Sequence, residues 1–414
     1  MLKIFQILSL PSFGNINMSF LMICVRYQTL IPGSFLGTLL SKVHIYIIWH
    51  FHMKRRYLLN SAAISTASAI ALKTSPLNAD SLPKIRWRMA TSWPKSLDIL
   101  FGGAKRICDR VSAMTDGRFT ITPYAAEEIT SGFGVLDAVS QNTVECGHTA
   151  SYYYFDKHPA LAFGTTIPFG MNAEQQNSWL YYGGGRELIN EIYQDLGIIS
   201  FPAGNTGVQM GGWFKQQIKS IANLQGLKMR IPGLGSEVMS RLGVDVRVLP
   251  AEQIVTALLE GKIDAVEWNN PYDDEIMGLP EAAPYYYYPG WWEPGATYEL
   301  QVNQSQWQQL PREYKAILEV AATNANSTML AEYNAKNGKA LRRLRDRGTE
   351  LIPFSPEIIQ AAQKTTLEVL EDHSSKNETF RKVYQQWRNF RSQVYRWNQI
   401  NELSFANFTS KTIK

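Results

Sequence analysis

Apolar positions in residues 85–149 switch between two periods. Ile85 to Met89 alternates with polar neighbours and reads as a strand. Phe101, Ala104, Ile107, Val111 and Met114 recur at three- and four-residue steps, which predicts a helix closed by Thr115-Asp116-Gly117. Arg118 to Thr122 alternates again, Val135, Leu136 and Val139 mark a second helix, and Val144 to Thr149 a third strand. This β-α-β-α-β order predicts a parallel sheet covered by helices. Thr165 to Gly170 reads as a crossing segment. A helix is expected from about residue 172 to 196, interrupted at Gly183-Gly184-Gly185, then a strand from Ile198 to Pro202 and a further strand from Met210 to Phe214.

The same alternation returns between Leu227 and Trp268. Lys228 to Ile231 predicts a strand ending at Pro232, with Gly233 and Gly235 in a tight turn beyond it. Val238, Met239 and Leu242 predict a helix stopped by Gly243, and Val244, Val246 and Val248 a strand. Pro250 opens a helix with Ile254, Leu258 and Leu259 on one face, and Ile263 to Trp268 is a final strand. Pro284 to Pro294 is too aromatic and too Pro-bounded for a helix. Tyr298 to Val302 predicts a strand returning to the first lobe. After Pro311 the pattern is helical from Tyr314 to Ala340 and from Pro356 to about Arg396, with a short strand at 351–354. The predicted fold is α/β, with two lobes and a cleft between them. Residues 1–79 form a leader, 80–202 mainly the first lobe, 203–295 mainly the second, and 296–414 a return to the first lobe followed by long C-terminal helices.

Composition changes this picture at the N-terminus. The chain carries a formal charge of +5. Seven of its 41 basic residues, and none of its 36 acidic ones, lie in residues 1–79, so the remainder has 34 basic residues against 36 and a net charge of −2. The basic balance belongs to the leader, and nucleic-acid binding gains no support. Met53-Lys54-Arg55-Arg56-Tyr57-Leu58-Leu59, the mildly apolar run from Ala62 to Leu72 and the small-residue site Leu77-Asn78-Ala79 together resemble a twin-arginine export signal. Met53 then reads as the start and 1–52 as an upstream extension. The alternative is that Ser19–Ile31 or His44–His50 helps anchor the chain, although neither approaches the ~20 apolar residues of a membrane span. Export leaves Cys108 and Cys146, as two buried thiols or as a disulfide. Aromatic residues make up 12% of the chain, which suits a ring-lined pocket or a large core.

Candidate chemistry gathers at the strand ends. Arg230 could grip a carboxylate with its guanidinium fork. Glu267 and Trp268 could hold a cation and wall a ligand, or merely form a turn before the helix at Tyr272. Gln209 and Asn205, in a loop after a strand, offer neutral amides. Tyr152, Tyr153 and Tyr154 follow the strand that carries His148, and their hydroxyls could orient a carboxylate or simply pack. Nucleophile-elbow, zinc-protease and P-loop motifs are absent, and beyond the leader there are only His148, His158 and His373. Catalysis by histidine is therefore thinly supplied.

Six segments carry a family likeness: MATSWP at 89–94, SYYYFDKHPA at 151–160, NTGVQMGGWF at 205–214, GLKMRIPGLG at 226–235, VEWNNPYDDE at 266–275 and YYYPGWWEPG at 286–295. Together they resemble solute-binding proteins of the tripartite ATP-independent periplasmic (TRAP) transporters, in the branch that binds α-keto acids, over residues 84 to 405. The resemblance implies a periplasmic-binding-protein architecture with a hinge and a central cleft, closing on a small carboxylate that is handed to a membrane permease. It implies no enzymatic activity. By resemblance Arg230 pairs with the ligand carboxylate, and Gln209, Glu267 and Glu293, with the backbone of Trp268, hold a sodium ion or another hard cation that bridges to the ligand. Asn205, Tyr152, Tyr153 and the Trp268 ring match pocket positions. The branch also implies a possible homodimer through exchanged C-terminal helices. Departures from the pattern are Glu127, where the family usually has glycine, and Gln141-Asn142-Thr143 in place of a glycine-containing turn. A ligand sensor for a signalling partner and an exported enzyme acting on carboxylic acids are the alternative readings.

Overall fold

The computed structural model describes residues 82–412. The twin-arginine-like segment, the cleavage site and Cys24 lie outside the described residues. The chain begins with β1 (Ile85–Thr91), α1 (Asp98–Met114), β2 (Phe119–Tyr124), α2 (Val135–Ser140) and β3 (Cys146–Thr149), in the predicted order. Three helices follow, α3 (Ala162–Thr165), α4 (Ala173–Tyr182) and α5 (Gly185–Gln194), and then β4 (Ile198–Asn205). Asn172 caps α4 in a reciprocal box with Gln175. The glycine run separates α4 from α5 for a steric reason: a Cβ on Gly185 would sit 2.5 Å from the Trp179 indole. Thr165–Gly170 does not cross between lobes. The chain stays on the first lobe through α5, which packs on β4.

The crossing comes after β4. The second lobe holds β5 (Trp213–Phe214), β6 (Lys228–Arg230), α6 (Gly233–Arg241), β7 (Asp245–Arg247), α7 (Ala251–Leu259), β8 (Ala265–Val266), α8 (Pro271–Met277), α9 (Leu279–Ala282) and β9 (Tyr285–Tyr288). The chain returns through β10 (Thr297–Asn303) and α10 (Gln304–Gln309) into the 35-residue α11 (Arg312–Asp346), then β11 (Glu350–Pro353), α12 (Pro356–Lys376), α13 (Glu378–Ile400) and α14 (Glu402–Ser410). The first sheet has the order β2-β1-β3-β10-β4, with β10 antiparallel to both neighbours. The second has the order β11-β9-β5-β8-β6-β7.

Two sequence expectations change here. The tail beyond residue 296 does not simply return to the first lobe. β11 pairs in parallel with β9 because the tyrosine strand otherwise leaves an open edge in the second sheet. α12 then packs on α6, and α13 goes back to α4 and α5. Asn205, expected in a loop, is the last residue of β4, opposite Thr297. Within α7, Ile254 and Leu258 are buried while Leu259 points to solvent, one helical step off the apolar stripe.

Cys108 and Cys146 are free, buried thiols. Burial pushes Cys108 up to about 12 and Cys146 well above the ordinary thiol range. Glu127 has φ +72°. That left-handed conformation explains why glycine is usual at this position.

Candidate functional site

The sheet order alone brings the second lobe's candidates to one edge. β6 and β8 run parallel and adjacent, so Arg230, which ends β6, and Glu267, which follows β8, share the carboxyl end of the sheet. β5 is antiparallel to β8, so Gln209, four residues before β5, precedes it at that same edge. β9 is antiparallel to β5, so the chain that leaves β9 toward Glu293 emerges there too. The Gln209 backbone N–H donates to the Glu293 carbonyl at 3.0 Å, and Gly290 donates back to the Gln209 carbonyl at 3.0 Å. Gly290 permits this approach, since a Cβ there would lie 2.5 Å from the Gln209 oxygen.

Arg230 is 1% exposed and Glu267 0%. Arg230 Nη1 donates to the Glu267 carbonyl at 2.7 Å and to its Oε2 at 2.9 Å, and Nε donates to the Leu249 carbonyl at 3.1 Å. The guanidinium lies over the Trp268 ring, 5.1 Å from its centre. Burial holds the Glu267 carboxyl well above its usual range. The neighbouring Glu293 charge adds to this and Arg230 opposes it. Glu293 is raised to about 8 by burial, against the pull of Arg230, Tyr152 and Gln209.

Three oxygens in this cluster are buried without a hydrogen-bond partner: Gln209 Oε1, Glu267 Oε1 and Glu293 Oε2. Such groups are costly unless something satisfies them. Gln209 Nε2 donates to Thr206 Oγ1 at 3.2 Å, which turns the amide oxygen away from that partner. Two carboxylates and an amide oxygen form a hard donor set of the kind alkali and alkaline-earth cations take. The residues therefore fit the expected cation.

The first lobe supplies tyrosines. Tyr152 and Tyr153 pack edge to face at 4.9 Å, and Tyr153 rests on Phe133 and Trp93. Burial raises both phenols, Tyr153 to about 12, so both hydroxyls keep their protons. Gly233, at φ +62°, faces Tyr152 so closely that a Cβ there would be 3.2 Å from the tyrosine Cβ. The two lobes meet at this contact.

Asn205 behaves differently from the sequence expectation. Its Nδ2 donates to Thr297 Oγ1 at 3.0 Å and to the Gly295 carbonyl at 3.4 Å, and its Oδ1 accepts from Gly207 N at 2.8 Å. The amide braces the crossover, and only a lone pair on Oδ1 remains for a ligand. His148 is also structural. Trp93 Nε1 donates to its Nδ1 at 2.7 Å, its Nε2 donates to the Ala203 carbonyl at 3.2 Å, and burial lowers it to about 4.

Residues 89–377 match the family described as bacterial extracellular solute-binding protein, family 7. The chain belongs to that family. The likeness to TRAP solute-binding proteins holds, and members of this family are receptors, not enzymes. A "monocarboxylate 2-oxoacid-binding periplasmic protein" of Nostoc sp. is 56% identical over 364 residues, which cover 87% of this chain and all of the relative. A TRAP solute-binding protein of Bordetella bronchiseptica, a mixed-occupancy dimer with calcium and picolinate in its occupied site, is 43% identical at a TM-score of 0.79, covering 80% of this chain and 98% of its own. A third, from Pseudoalteromonas atlantica with sodium and pyruvate bound, is 37% identical at a TM-score of 0.76, covering 78% and 99%. The two-lobed α/β fold of family 7 is the fold seen here, and the family is extracytoplasmic. No helix among the described residues is long and apolar enough to cross a membrane.

Sequence reasoning missed the residues that support the site. Thr206 orients Gln209, and the Leu249 carbonyl holds Arg230; both contacts arise from tertiary packing. Asp273 and Asp274, adjacent to the site's β8 loop, were given no role by the sequence and are fully buried.

Proposed function

We propose that this chain is the periplasmic receptor of a TRAP transporter, closing on a small 2-oxo monocarboxylate such as pyruvate and delivering it to a membrane permease. The observation that carries this reading is the pairing of buried Arg230 with three orphaned oxygens on Gln209, Glu267 and Glu293. Arg230 faces the ligand carboxylate. Gln209, Glu267, Glu293 and the Trp268 carbonyl would hold a hard cation, which supplies a positive centre to a 2-oxo group and its carboxylate. Tyr152 and Tyr153 close the pocket from the first lobe.

Charge supports a monoacid. Among the described residues Arg230 is the one buried Lys or Arg, so a second ligand carboxylate would be desolvated without a partner. Charge also bears on the cation. With a cation bound and both glutamates ionised, the ligand carboxylate, Glu267 and Glu293 set three negative groups against one guanidinium, leaving two charges that a divalent ion cancels and a monovalent ion halves. Sodium is the ion the family likeness suggests, and calcium satisfies the same donors.

Export through the twin-arginine-type segment at Met53 belongs to the same reading. So does a homodimer through the C-terminal helices, supported by exposed Trp397 and Ile400 on α13 and Leu403, Phe405 and Phe408 on α14.

The test is calorimetric titration of the mature protein with pyruvate and with a 2-oxo diacid, in sodium, in calcium and in chelator with neither. Tight pyruvate binding that needs a cation, with a weaker diacid, is expected. Cation-independent binding removes the metal role, and equal diacid affinity removes the monoacid assignment.

A further inference from the structure

Four non-glycine residues among those described have positive φ: Asp116, Glu127, Asn142 and Phe169. Short polar residues tolerate that region, and a bulky aromatic one does not. Phe169, at φ +55°, lies in the loop between α3 and α4. A backbone held this way persists only where its surroundings over-determine it.

The surroundings come from both ends of the tertiary structure. On one side is α13. Arg391 Nη2 donates to the Phe169 carbonyl at 2.7 Å, and the Tyr395 hydroxyl donates to the carbonyls of Phe169 and Gly170. The Arg391 guanidinium lies over the Tyr395 ring at 4.2 Å, so the two act as one clamp. On the other side is the segment after β9. Phe169 N donates to the Trp291 carbonyl at 2.7 Å, and the two rings stack at 4.9 Å and 16°. Trp291 abuts Trp292, whose Cβ would lie 3.3 Å from a Cβ on Gly235 in the first turn of α6. Glu293 is the next residue.

That segment contains Pro289, Gly290, Pro294 and Gly295 and has no regular secondary structure. The position of the Glu293 carboxylate is therefore set by its backbone bonds to Gln209 and Gly290 and by the contacts of its neighbours. A cation ligand must be placed within a few tenths of an ångström, and supporting contacts govern that placement.

We propose that Phe169 is a positioning residue for the cation site: Arg391 and Tyr395 of α13 hold it in the left-handed conformation, and its ring fixes Trp291 and with it the carboxylate of Glu293. This rests on the reading of Glu293 as a cation ligand. It makes α13 part of the apparatus that sets cation affinity.

The test uses the full mature chain, with pyruvate as probe and sodium or calcium as titrant. Phe169→Gly suits φ +55° and removes the stack. It should raise the half-saturating cation concentration by about tenfold or more, while pyruvate affinity recovers at saturating cation. Phe169→Tyr keeps the stack and should titrate as wild type. Tyr395→Phe loses the hydroxyl bonds, keeps the ring beneath Arg391, and should shift the cation midpoint in the same direction; it carries the test if Phe169→Gly does not fold. An unchanged midpoint in Phe169→Gly overturns the proposal. So does a loss of pyruvate affinity that saturating cation leaves in place, or a Phe169→Tyr variant as impaired as Phe169→Gly. A wild type indifferent to cations removes the Glu293 reading and the proposal with it, whereas a cation-dependent wild type beside an unchanged variant removes the proposal alone.

Discussion

Two pairs of buried carboxyls lie near the cleft, and they are dressed in opposite ways. Asp273 Oδ2 accepts from Asn269 Nδ2 at 2.7 Å and from the Tyr333 hydroxyl at 2.6 Å. Asp274 Oδ2 accepts from Trp213 Nε1 at 2.9 Å and from the Tyr286 hydroxyl at 2.6 Å, and its Oδ1 from the Asn269 backbone at 3.3 Å. Of the four aspartate oxygens only Asp273 Oδ1 lacks a partner. Glu267 instead pairs with Arg230, whose charge also pulls on Glu293, and the two glutamates leave two orphan oxygens beside a third on Gln209. The aspartates are surrounded by neutral donors from β5, β9 and α11, which tie the second lobe to the long helix. The glutamates are left incomplete. Equal burial with unequal satisfaction separates a structural cluster from a binding one.

Removing Arg230 should break the contrast most severely. Arg230→Ala leaves Glu267 buried beside Glu293 with no counter-charge, and is expected to cost about 3 kcal/mol or more in denaturant unfolding. Pyruvate binding should weaken by about 100-fold or more, since a charge-assisted fork is lost. Glu293→Gln comes next. It keeps an oxygen and removes a charge, so calorimetry should show the cation affinity lowered by about 10- to 100-fold with the fold intact. Asp273→Asn should do the reverse, lowering stability by about 1–3 kcal/mol and leaving cation and pyruvate affinities near wild type. If it abolishes binding while Glu293→Gln does not, the division between the clusters is wrong.

The smallest effect is a pH slope. Burial raises Asp273 and Asp274 to about 7 from their ordinary value of 3.8. Between those values the native state holds more protons than the unfolded chain, so their contribution to stability falls as pH rises from about 4 to about 7. His148 works the other way. Its lowered value near 4 makes stability fall as pH drops below its unfolded value of 6.5. The difference in unfolding free energy between wild type and Asp273→Asn cancels the His148 part. That difference should widen toward acid pH, and a difference flat from pH 4 to 8 would remove the raised aspartate.

Much of the frame was legible because it is local. The alternation around β1, β2 and β6 and the glycine stops after Leu242 and Glu260 predicted the elements closely. Arg230 stood out as a charged residue at a strand end beside Gly233 and Gly235, and Glu267 as one at a strand end beside Trp268. Glu293 was legible through family likeness alone, since nothing in PGWWEP marks one glutamate as a ligand. Nothing in the sequence set Asp273 and Asp274 apart from the rest of their segment. Their donors lie up to 61 positions away, on Trp213, Tyr286 and Tyr333, and sequence periodicity carries no trace of such partners. Asn205 was drawn into the pocket by its residue type, while its amide is engaged by Thr297 and Gly207 across the crossover. The placement of β11 followed from an open sheet edge that exists only once β9 has formed.

The joint at Asn377 gives the tail a mechanical meaning. Asn377 ends α12, which rests on the second lobe, and caps α13, which rests on the first, with no residue of slack between them. A relative rotation of the lobes changes the angle between these two stiff rods and loads the bonds from Tyr384 and Arg388 of α13 to Glu371 of α12 that brace them. The 23 residues of α13 form a lever about 35 Å long. Each degree of rotation at Asn377 therefore swings its far end by about 0.6 Å for a rod of that length. A pair of spin labels, one on α12 at Glu368 and one on α14 at Asn407, should report a change of that angle as a change in their separation.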